Sequence, residues 1–368
     1  MAEPTSPTSL KAAQPGRPTS GDLGLVALAA VLTGAAAVTH FTSTPATAAF
    51  VVAAIALAAL AAVVGRAVGA LGDRMGVGAT GAIQGALGNL PELLFGIFAL
   101  RAGLGGVLRA ALVGSILANV LLVLGLAFVV GGVRHGVQRF GAERAKLLSL
   151  LLLLAVGVLI VPTLASGLDL PAAHHERALS DVAAVILLAV YALSLLADLR
   201  IRGAKGSEQA APVSGRWPLA LTLGLLAASA GGAAAASSWF VDSLTPAVHS
   251  LGISPTFAGL VIVAIAGNAV ENAVGVTLAA RNRPDLALSV ILQSPLQIAL
   301  VLIPVLVLVS PLVGGAALTL VFPPLLVASV GVAAVITAFV VADGESTWME
   351  GVALLGLYAA IASAFWWG

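Results

Sequence analysis

Apolar runs of roughly twenty residues follow one another along almost the whole chain, separated by short stretches that carry charge, glycine or proline. Hydrophobic residues make up 60% of the 368 residues and charged residues only 9%, whereas a soluble domain has about a quarter charged residues. One buried core cannot hold so much apolar sequence. The sequence therefore predicts an all-α integral membrane protein with eleven transmembrane helices. They are predicted at 23–41, 46–64, 79–100, 107–130, 144–162, 178–198, 217–240, 256–279, 286–309, 317–341 and 347–366.

The distribution of Lys and Arg predicts how these spans are oriented. The segment 1–22 is rich in Pro, Ser and Thr and is predicted to be a disordered tail ahead of a first transmembrane segment, 23–45. With the N-terminus in the cytoplasm, only Arg101, Arg109 and Arg177 of the 17 basic residues fall outside. We therefore predict a protein of the cytoplasmic (inner) membrane, with the N-terminus inside and the C-terminus outside.

An internal repeat divides the chain into two halves. A shift of 179 residues carries Gly88 onto Gly267, and the same shift carries Ser115 onto Ser294 without a gap. Because the predicted helices at these two places run in opposite directions, the repeat is inverted, as is typical of secondary transporters. The predicted domains are one extra N-terminal helix, a first five-helix repeat over 46–199, a cytoplasmic linker over 200–216 and a second five-helix repeat over 217–368.

Two glutamates lie well inside predicted spans, one in each half. Glu92 follows Gly88 and Asn89, and Glu271 follows Gly267 and Asn268 in the same spacing. A charged side chain at the centre of a bilayer costs roughly 2.5–3.5 kcal/mol on insertion scales, so an intramembrane acid indicates a functional site. The alternative is a structural glutamate that is hydrogen-bonded between helices.

Polar companions share helix faces with the two acids. Asn and Glu are three residues apart in each motif, and Pro91 interrupts the first motif and frees a backbone carbonyl. Hard cations such as Ca²⁺ bind oxygen ligands of this kind, although the polar groups could instead be hydrogen-bonding links between helices. The predicted cation or proton site comprises Glu92, Glu271, Asn89, Asn268, Ser115, Asn119, Ser294, Gln297 and Asn272.

Other chemistries find little support in the sequence. The chain has no cysteine, its five histidines fall near span ends or in loops, and motifs for ATP binding or hydrolysis are missing. We therefore predict no enzyme activity, no cofactor and no nucleic-acid partner. The expected partners are the lipid bilayer and small cations, and the sequence says nothing about oligomeric state.

The stretches "GNLPELLFGIFALRAG", "GSILANVLLVLG", "GNAVENAVGV", "DLALSVILQSPLQIAL" and "ADGESTWMEGVALLGLYAAIASAFWW" resemble the Ca²⁺/H⁺ antiporter (cation/proton exchanger) family of the calcium/cation antiporter superfamily. The resemblance covers most of the chain from about residue 23 onward. It implies exchange of cytosolic Ca²⁺ for protons and two inverted five-helix halves. It also implies essential carboxylates at Glu92 and Glu271 with Asn89 and Asn268 beside them as cation ligands, completed by Ser115, Asn119, Ser294 and Gln297.

Several positions depart from the family pattern. Leu90-Pro91 replaces the usual Ala-Thr of the first repeat and is similar to the Leu-Pro-Glu of Na⁺/Ca²⁺ exchangers. Asn272 stands where the second repeat usually has His, and the link between the halves is basic where the family often has acidic residues. These departures bear on ion selectivity and on the proton path, not on the fold.

Exchange follows from simple electrostatics. Two carboxylates close together in a low-dielectric site disfavour the empty, doubly charged state, so the site should hold either one divalent cation or protons. If only filled states switch between inward- and outward-facing forms, Ca²⁺ and H⁺ exchange without ATP. A Na⁺-coupled exchanger of the same superfamily is the nearest alternative, and a passive cation channel is a more distant one.

Overall fold

The computed structural model describes residues 18–204 and 217–367, and these are almost entirely helical. The predicted tail lies outside the described residues up to position 17, and the predicted linker lies outside them from 205 to 216. The helices are α1 (Ser20–Phe41), α2 (Ala46–Leu87), α3 (Leu90–Arg101), α4 (Gly105–His135), α5 (Ala142–Gly167), α6 (Glu176–Ala204), α7 (Leu219–Leu251), α8 (Pro255–Gly267), α9 (Ala269–Ala280), α10 (Pro284–Val313), α11 (Pro324–Val340) and α12 (Trp348–Ala364).

Most of these helices suit a bilayer. Among the described residues, seven helices are long and apolar enough to cross one, and α8 with α9 makes an eighth span if the bent pair is counted as one. The apolar helices α11 and α12 are shorter. The prediction of an all-helical membrane protein is confirmed, whereas the count of eleven spans stays a prediction.

The start of α1 corrects one predicted boundary. Thr19 is the N-cap, and its hydroxyl accepts a hydrogen bond from the backbone N–H of Asp22 (3.2 Å). The Asp22 carboxylate accepts hydrogen bonds from the backbone N–H (3.0 Å) and hydroxyl (2.7 Å) of Thr19. This capping box starts the helix at Ser20, inside the stretch predicted to be a disordered tail.

The predicted break between the second and third spans is at a different place. The sequence predicts this break between residues 64 and 79, because Arg66, Asp73 and Arg74 interrupt the apolar run there. In the structure α2 continues to Leu87 and the chain leaves the helix only at Gly88–Asn89. Charged side chains do not themselves break a helix, since Arg has a high helix propensity.

The predicted helix at 317–341 begins seven residues late, because residues 314–323 are not helical. Pro323 and Pro324 disfavour helix just before them. Side-chain hydroxyls satisfy the backbone instead: Ser310 accepts from the N–H of Leu318 (2.9 Å), and Ser180 accepts from that of Leu320 (2.9 Å). Non-helical backbone is tolerated at membrane depth only where protein groups pair it in this way.

The helices α4 and α10 form the centre of the bundle. Every side chain from Val107 to Leu121 on α4 is buried except that of Arg109, and α10 is buried from Ser294 to Leu300. Each helix contains a wide π turn, at Ala118–Val123 in α4 and at Ile298–Leu302 in α10. The two turns fall at nearly equivalent places under the 179-residue shift, and π turns are frequent at functional sites.

A two-residue ladder joins the loop after α4 to the loop before α12. Strand β1 (Gln138–Arg139) pairs antiparallel with β2 (Glu345–Ser346), and Arg139 forms an ion pair with Glu345 at 3.0 Å. The ladder ties these two loops together at one end of the bundle.

Candidate ion-binding site

The chain leaves helical geometry at an asparagine in each half. Asn89, between α2 and α3, has φ −97° and ψ 24°; Asn268, between α8 and α9, has φ −101° and ψ 13°. The axes of α8 and α9 differ by 64°. Pro91 lies in the first turn of α3, where a missing N–H costs nothing, so it marks the start of a helix and does not interrupt one. Because the second motif breaks without proline, asparagine and not proline is the shared feature.

Both predicted acids lie in the first turn of the helix that follows a break. Glu92 is the third residue of α3 and Glu271 is the third residue of α9. The unpaired N–H groups at a helix N-terminus carry partial positive charge, which stabilises a nearby carboxylate by roughly 0.3–1 kcal/mol or more when partly buried. In each half of the chain, the helix that follows the break therefore has a glutamate in its first turn, where the helix N-terminus stabilises the carboxylate.

The structure brings the two glutamates into one cavity. This polar cavity has a volume of about 130 Å³ and lies where the two helix breaks meet. Its wall also includes the glycine that precedes each asparagine, together with the amide of Gln297. Among the described residues, the lining is Ala61, Gly65, Val68, Gly69, Gly88, Glu92, Gly267, Glu271 and Gln297.

Asn268 is the centre of a hydrogen-bond network behind Glu271. Its Nδ2 donates to the hydroxyl of Ser115 (3.0 Å), and its Oδ1 lies 3.5 Å from Nδ2 of Asn119 and 3.2 Å from the hydroxyl of Ser294. The single hydroxyl hydrogen of Ser294 has a better acceptor in Oε2 of Glu271, at 2.7 Å, because charge-assisted hydrogen bonds are shorter and stronger. The network therefore connects the Glu271 carboxylate to polar side chains from both halves of the chain.

A second link runs from the first break to α10. Nδ2 of Asn89 donates to Oε1 of Gln297 at 3.3 Å. Within the described part of the chain, Oε2 of Glu92, Oδ1 of Asn119 and Nε2 of Gln297 are buried and have no hydrogen-bond partner. Buried polar atoms are usually paired, so the unpartnered carboxylate oxygen of Glu92 indicates where a cation or a proton would bind.

The predicted site residues thus separate into two groups. Glu92, Glu271 and Gln297 line the polar cavity, whereas Asn89, Asn268, Ser115, Asn119 and Ser294 hold them in place or pack behind them. Asn272 is not part of the cavity wall. Its Oδ1 is buried without a partner among residues 18–204 and 217–367, and its role in the site stays a prediction.

No group of three or more Asp, Glu, His or Cys side chains comes together in the described ranges. A cation here would therefore depend on two carboxylates, with amide oxygen, backbone carbonyls and water supplying the other ligands. Such all-oxygen coordination, completed by water, suits Ca²⁺ rather than a transition metal.

Sequence reasoning missed the wall that α2 contributes. Ala61, Gly65 and Gly69 recur every four residues and line the polar cavity. A Cβ added at Gly65 or Gly69 would meet nothing within 4 Å, so these glycines leave space beside the acids. Their spacing, small residues on one face of an apolar helix, was the signal that could have found them.

A second, smaller cavity of about 30 Å³ also borders Glu92 and is lined mainly by apolar side chains. Phe95 and Phe240 form part of its wall. The ring of Phe240 stacks on Phe50 (centroids 4.7 Å apart) and meets the edge of Phe95 (5.7 Å). Glu92 therefore lies between a polar cavity with glycines in its wall and an aromatic cluster.

The family described as sodium/calcium exchanger protein matches the sequence over residues 45–199 and 221–367. Each stretch contains one of the two asparagine breaks and one of the two glutamates that line the polar cavity. The chain belongs to the sodium/calcium exchanger protein family. The family match covers both halves of the chain.

Individual relatives agree with this assignment. The chain is 36% identical over 313 residues to a Ca(2+)/H(+) antiporter of Synechocystis, covering 79% of this chain and 83% of the relative. It is 34% identical over 308 residues to the Ca(2+)/H(+) antiporter ChaA of Bacillus subtilis, covering 82% and 87%. The solved structure of native YfkE superposes with a TM-score of 0.77 at 30% identity, over 94% of this chain and 99% of YfkE.

Proposed function

We propose that this chain is a secondary active antiporter that exchanges Ca²⁺ for protons across the cytoplasmic membrane by alternating access. The observation that carries the proposal is the meeting of Glu92 and Glu271, one from each half, in one polar cavity. Relatives that are named Ca(2+)/H(+) antiporters and align over more than three quarters of the chain support the choice of ions.

The geometry explains why one site can alternate between the two ions. Two carboxylates line one cavity, and the described part of its wall contains no basic side chain. One Ca²⁺ neutralises both, and protons can do the same, whereas the empty site keeps two like charges at close range in a low dielectric. A volume of about 130 Å³ leaves room for the ion and several water molecules that complete its coordination.

Alternating access requires that the polar cavity be open to one side of the membrane and closed to the other. Gly65 and Gly69 are exposed and lie next to Arg66, which the predicted orientation places toward the cytoplasm. The polar cavity would then receive Ca²⁺ from the cytosol, while the packed rings of Phe50, Phe95 and Phe240 close the opposite path. In this proposal the structure is an inward-facing form.

An inverted repeat would supply the two-fold relation that such a cycle needs. Matching asparagine breaks and nearly matching π turns support two related halves, preceded by α1. We propose eleven spans in total, with the N-terminus in the cytoplasm and the C-terminus outside. Reporter fusions at the two ends of the chain would check this odd span count.

The transport assay uses purified protein in proteoliposomes with an acidic interior, a Ca²⁺ dye and a pH dye. We expect Ca²⁺ to enter as internal protons leave, with no Ca²⁺ uptake once the pH gradient is collapsed. A Na⁺ gradient imposed without a pH gradient separates the sodium-coupled alternative: uptake under that condition would overturn the choice of protons. Ca²⁺ flux that is independent of both gradients would indicate a channel.

The Ser294→Ala variant tests how the site is supported. We expect about a tenfold rise in the Ca²⁺ concentration for half-maximal uptake, because a hydrogen bond to a charged group contributes about 1.5–3 kcal/mol. The matched control is Ser149→Ala on α5, since that buried hydroxyl donates only to backbone carbonyls one turn earlier. An unchanged half-saturation in Ser294→Ala would contradict the role of Ser294 in fixing Glu271.

A further inference from the structure

A groove on the surface of the bundle runs between α1, α2 and α9, outside the polar cavity. It has a volume of about 600 Å³, within the roughly 300–1,000 Å³ of small-molecule sites. Apart from one threonine and two arginines, the described residues of its wall are apolar. The lining comprises Leu25, Leu28, Leu32, Ile55, Ala58, Ala59, Ala62, Arg66, Ala269, Ala273, Val274, Thr277, Leu278 and Arg281.

The apolar part of this groove opens toward the surroundings of the bundle. Leu28, Ile55 and Val274 lie in its wall and are 52%, 49% and 43% exposed. All three belong to helices of membrane-spanning length or to the bent pair α8 and α9, so the surrounding medium is lipid. An occupant must therefore present apolar chains to these residues.

The two arginines give the groove a charged end. Arg66 is the last groove residue on α2, Arg281 directly follows the end of α9, and the predicted orientation places both on the cytoplasmic side. Arg66 forms an ion pair with Asp22 (3.0 Å) but keeps 65% of its side chain exposed. Arg281 is exposed and forms no ion pair among the residues that the structure describes. This end of the groove carries a net positive charge.

We propose that the groove binds one anionic phospholipid, with its phosphate at Arg66 and Arg281 and its acyl chains along α1, α2 and α9. Basic pockets between transmembrane helices on the cytoplasmic side bind anionic headgroups, and an apolar surface continuous with the basic end selects a lipid over a free phosphate. The lipid would bridge α1 and α2 to α9, the helix that carries Glu271 at its start.

The test measures lipid retained by the purified full-length chain and does not depend on transport. Native mass spectrometry counts phosphatidylglycerol or phosphatidylcholine of equal chain length bound after delipidation. We expect one phosphatidylglycerol per chain and much weaker retention of phosphatidylcholine. The Arg66→Gln/Arg281→Gln variant should bind phosphatidylglycerol about thirtyfold more weakly, because each arginine near an anionic lipid contributes a factor of roughly five.

Two controls guard against misfolding and against binding by charge alone. Arg134→Gln/Arg144→Gln removes two exposed arginines outside the groove and should retain phosphatidylglycerol as the wild type does. Ala273→Phe fills the groove, keeps both arginines and should lose the lipid. Equal retention of both lipids, full retention by either groove variant, or displacement of the lipid by inorganic phosphate alone would overturn the proposal.

Discussion

We expect Glu92→Gln to abolish proton-driven Ca²⁺ uptake, with initial rates reduced by at least a hundredfold, and Glu271→Gln to do the same. Either substitution leaves a single carboxylate to face a divalent cation in the polar cavity. Breaking a buried charge pair by removing one partner costs about 3–5 kcal/mol, which is more than a factor of a hundred in binding. Glutamine also cannot carry a transported proton at this position.

The measurement is Ca²⁺ uptake into proteoliposomes together with size-exclusion chromatography in detergent, so that loss of folding is distinguished from loss of transport. Glu143→Gln is the matched control, because Glu143 is exposed in the first turn of α5 and does not line the polar cavity. Wild-type uptake by a folded Glu92→Gln or Glu271→Gln variant would remove the proposed site.

The second large effect concerns folding, at the crossing of α4 and α8. A Cβ at Gly114 would collide with the backbone carbonyl of Leu260, and a Cβ at Gly259 would lie 2.5 Å from the carbonyl oxygen of Val107. The two helices therefore pack backbone against backbone. Backbone atoms cannot move aside by changing rotamer, so even one methyl group forces the helices apart.

We expect Gly114→Ala and Gly259→Ala each to destabilise the protein by about 3 kcal/mol, the upper part of the range for overpacking. In detergent this should lower the melting temperature by roughly 5 °C or more and increase the aggregated fraction. Gly157→Ala is the control, and we expect it to stabilise the protein. Gly157 lies in α5 with nothing within 4 Å of its would-be Cβ, and alanine favours helix by about 1 kcal/mol.

A melting temperature in Gly114→Ala that equals the wild-type value would contradict the close crossing. The same crossing also matters for the site. Ser115 follows Gly114 on α4 and receives the hydrogen bond from Asn268 just after α8. Separation of the helices should therefore weaken Ca²⁺ binding in any molecules that still fold.

Three of the residues that the sequence predicts to form one site, Glu92, Glu271 and Gln297, lie on one cavity wall in the structure. Glu92 and Glu271 stand out in the sequence because a charged side chain inside a membrane span costs free energy, which indicates a functional role. The 179-residue shift then linked each acid to the serine of the following helix. The structure bears out that linkage in the second half, where Ser294 donates to Glu271, whereas Ser115 pairs with Asn268 from the other half.

Helix breaks were harder to predict from the sequence. Charged residues and proline are expected to interrupt helices. However, α2 continues past Arg66 to Leu87, and the break at Asn268 has no proline near it. Conversely, residues 317–323 are apolar enough to be predicted as helix but are not helical, and hydroxyls of neighbouring helices accept hydrogen bonds from their backbone. An apolar run indicates that a segment lies in lipid or in the protein interior, but it does not determine whether the backbone is helical.

The sequence by itself determined that the chain is a helical membrane protein and that two glutamates lie well inside its apolar runs, because a charged side chain in the membrane interior carries a large desolvation cost. Only the tertiary structure decided which polar side chains meet. It put Glu92, Glu271 and Gln297 on one cavity wall and Asn268 between Ser115 and Ser294, and it kept Asn272 outside that wall. The reason is that these contacts join residues from separate halves, and their positions depend on how closely glycine-containing helices pack, which the spacing of polar residues along each helix does not specify.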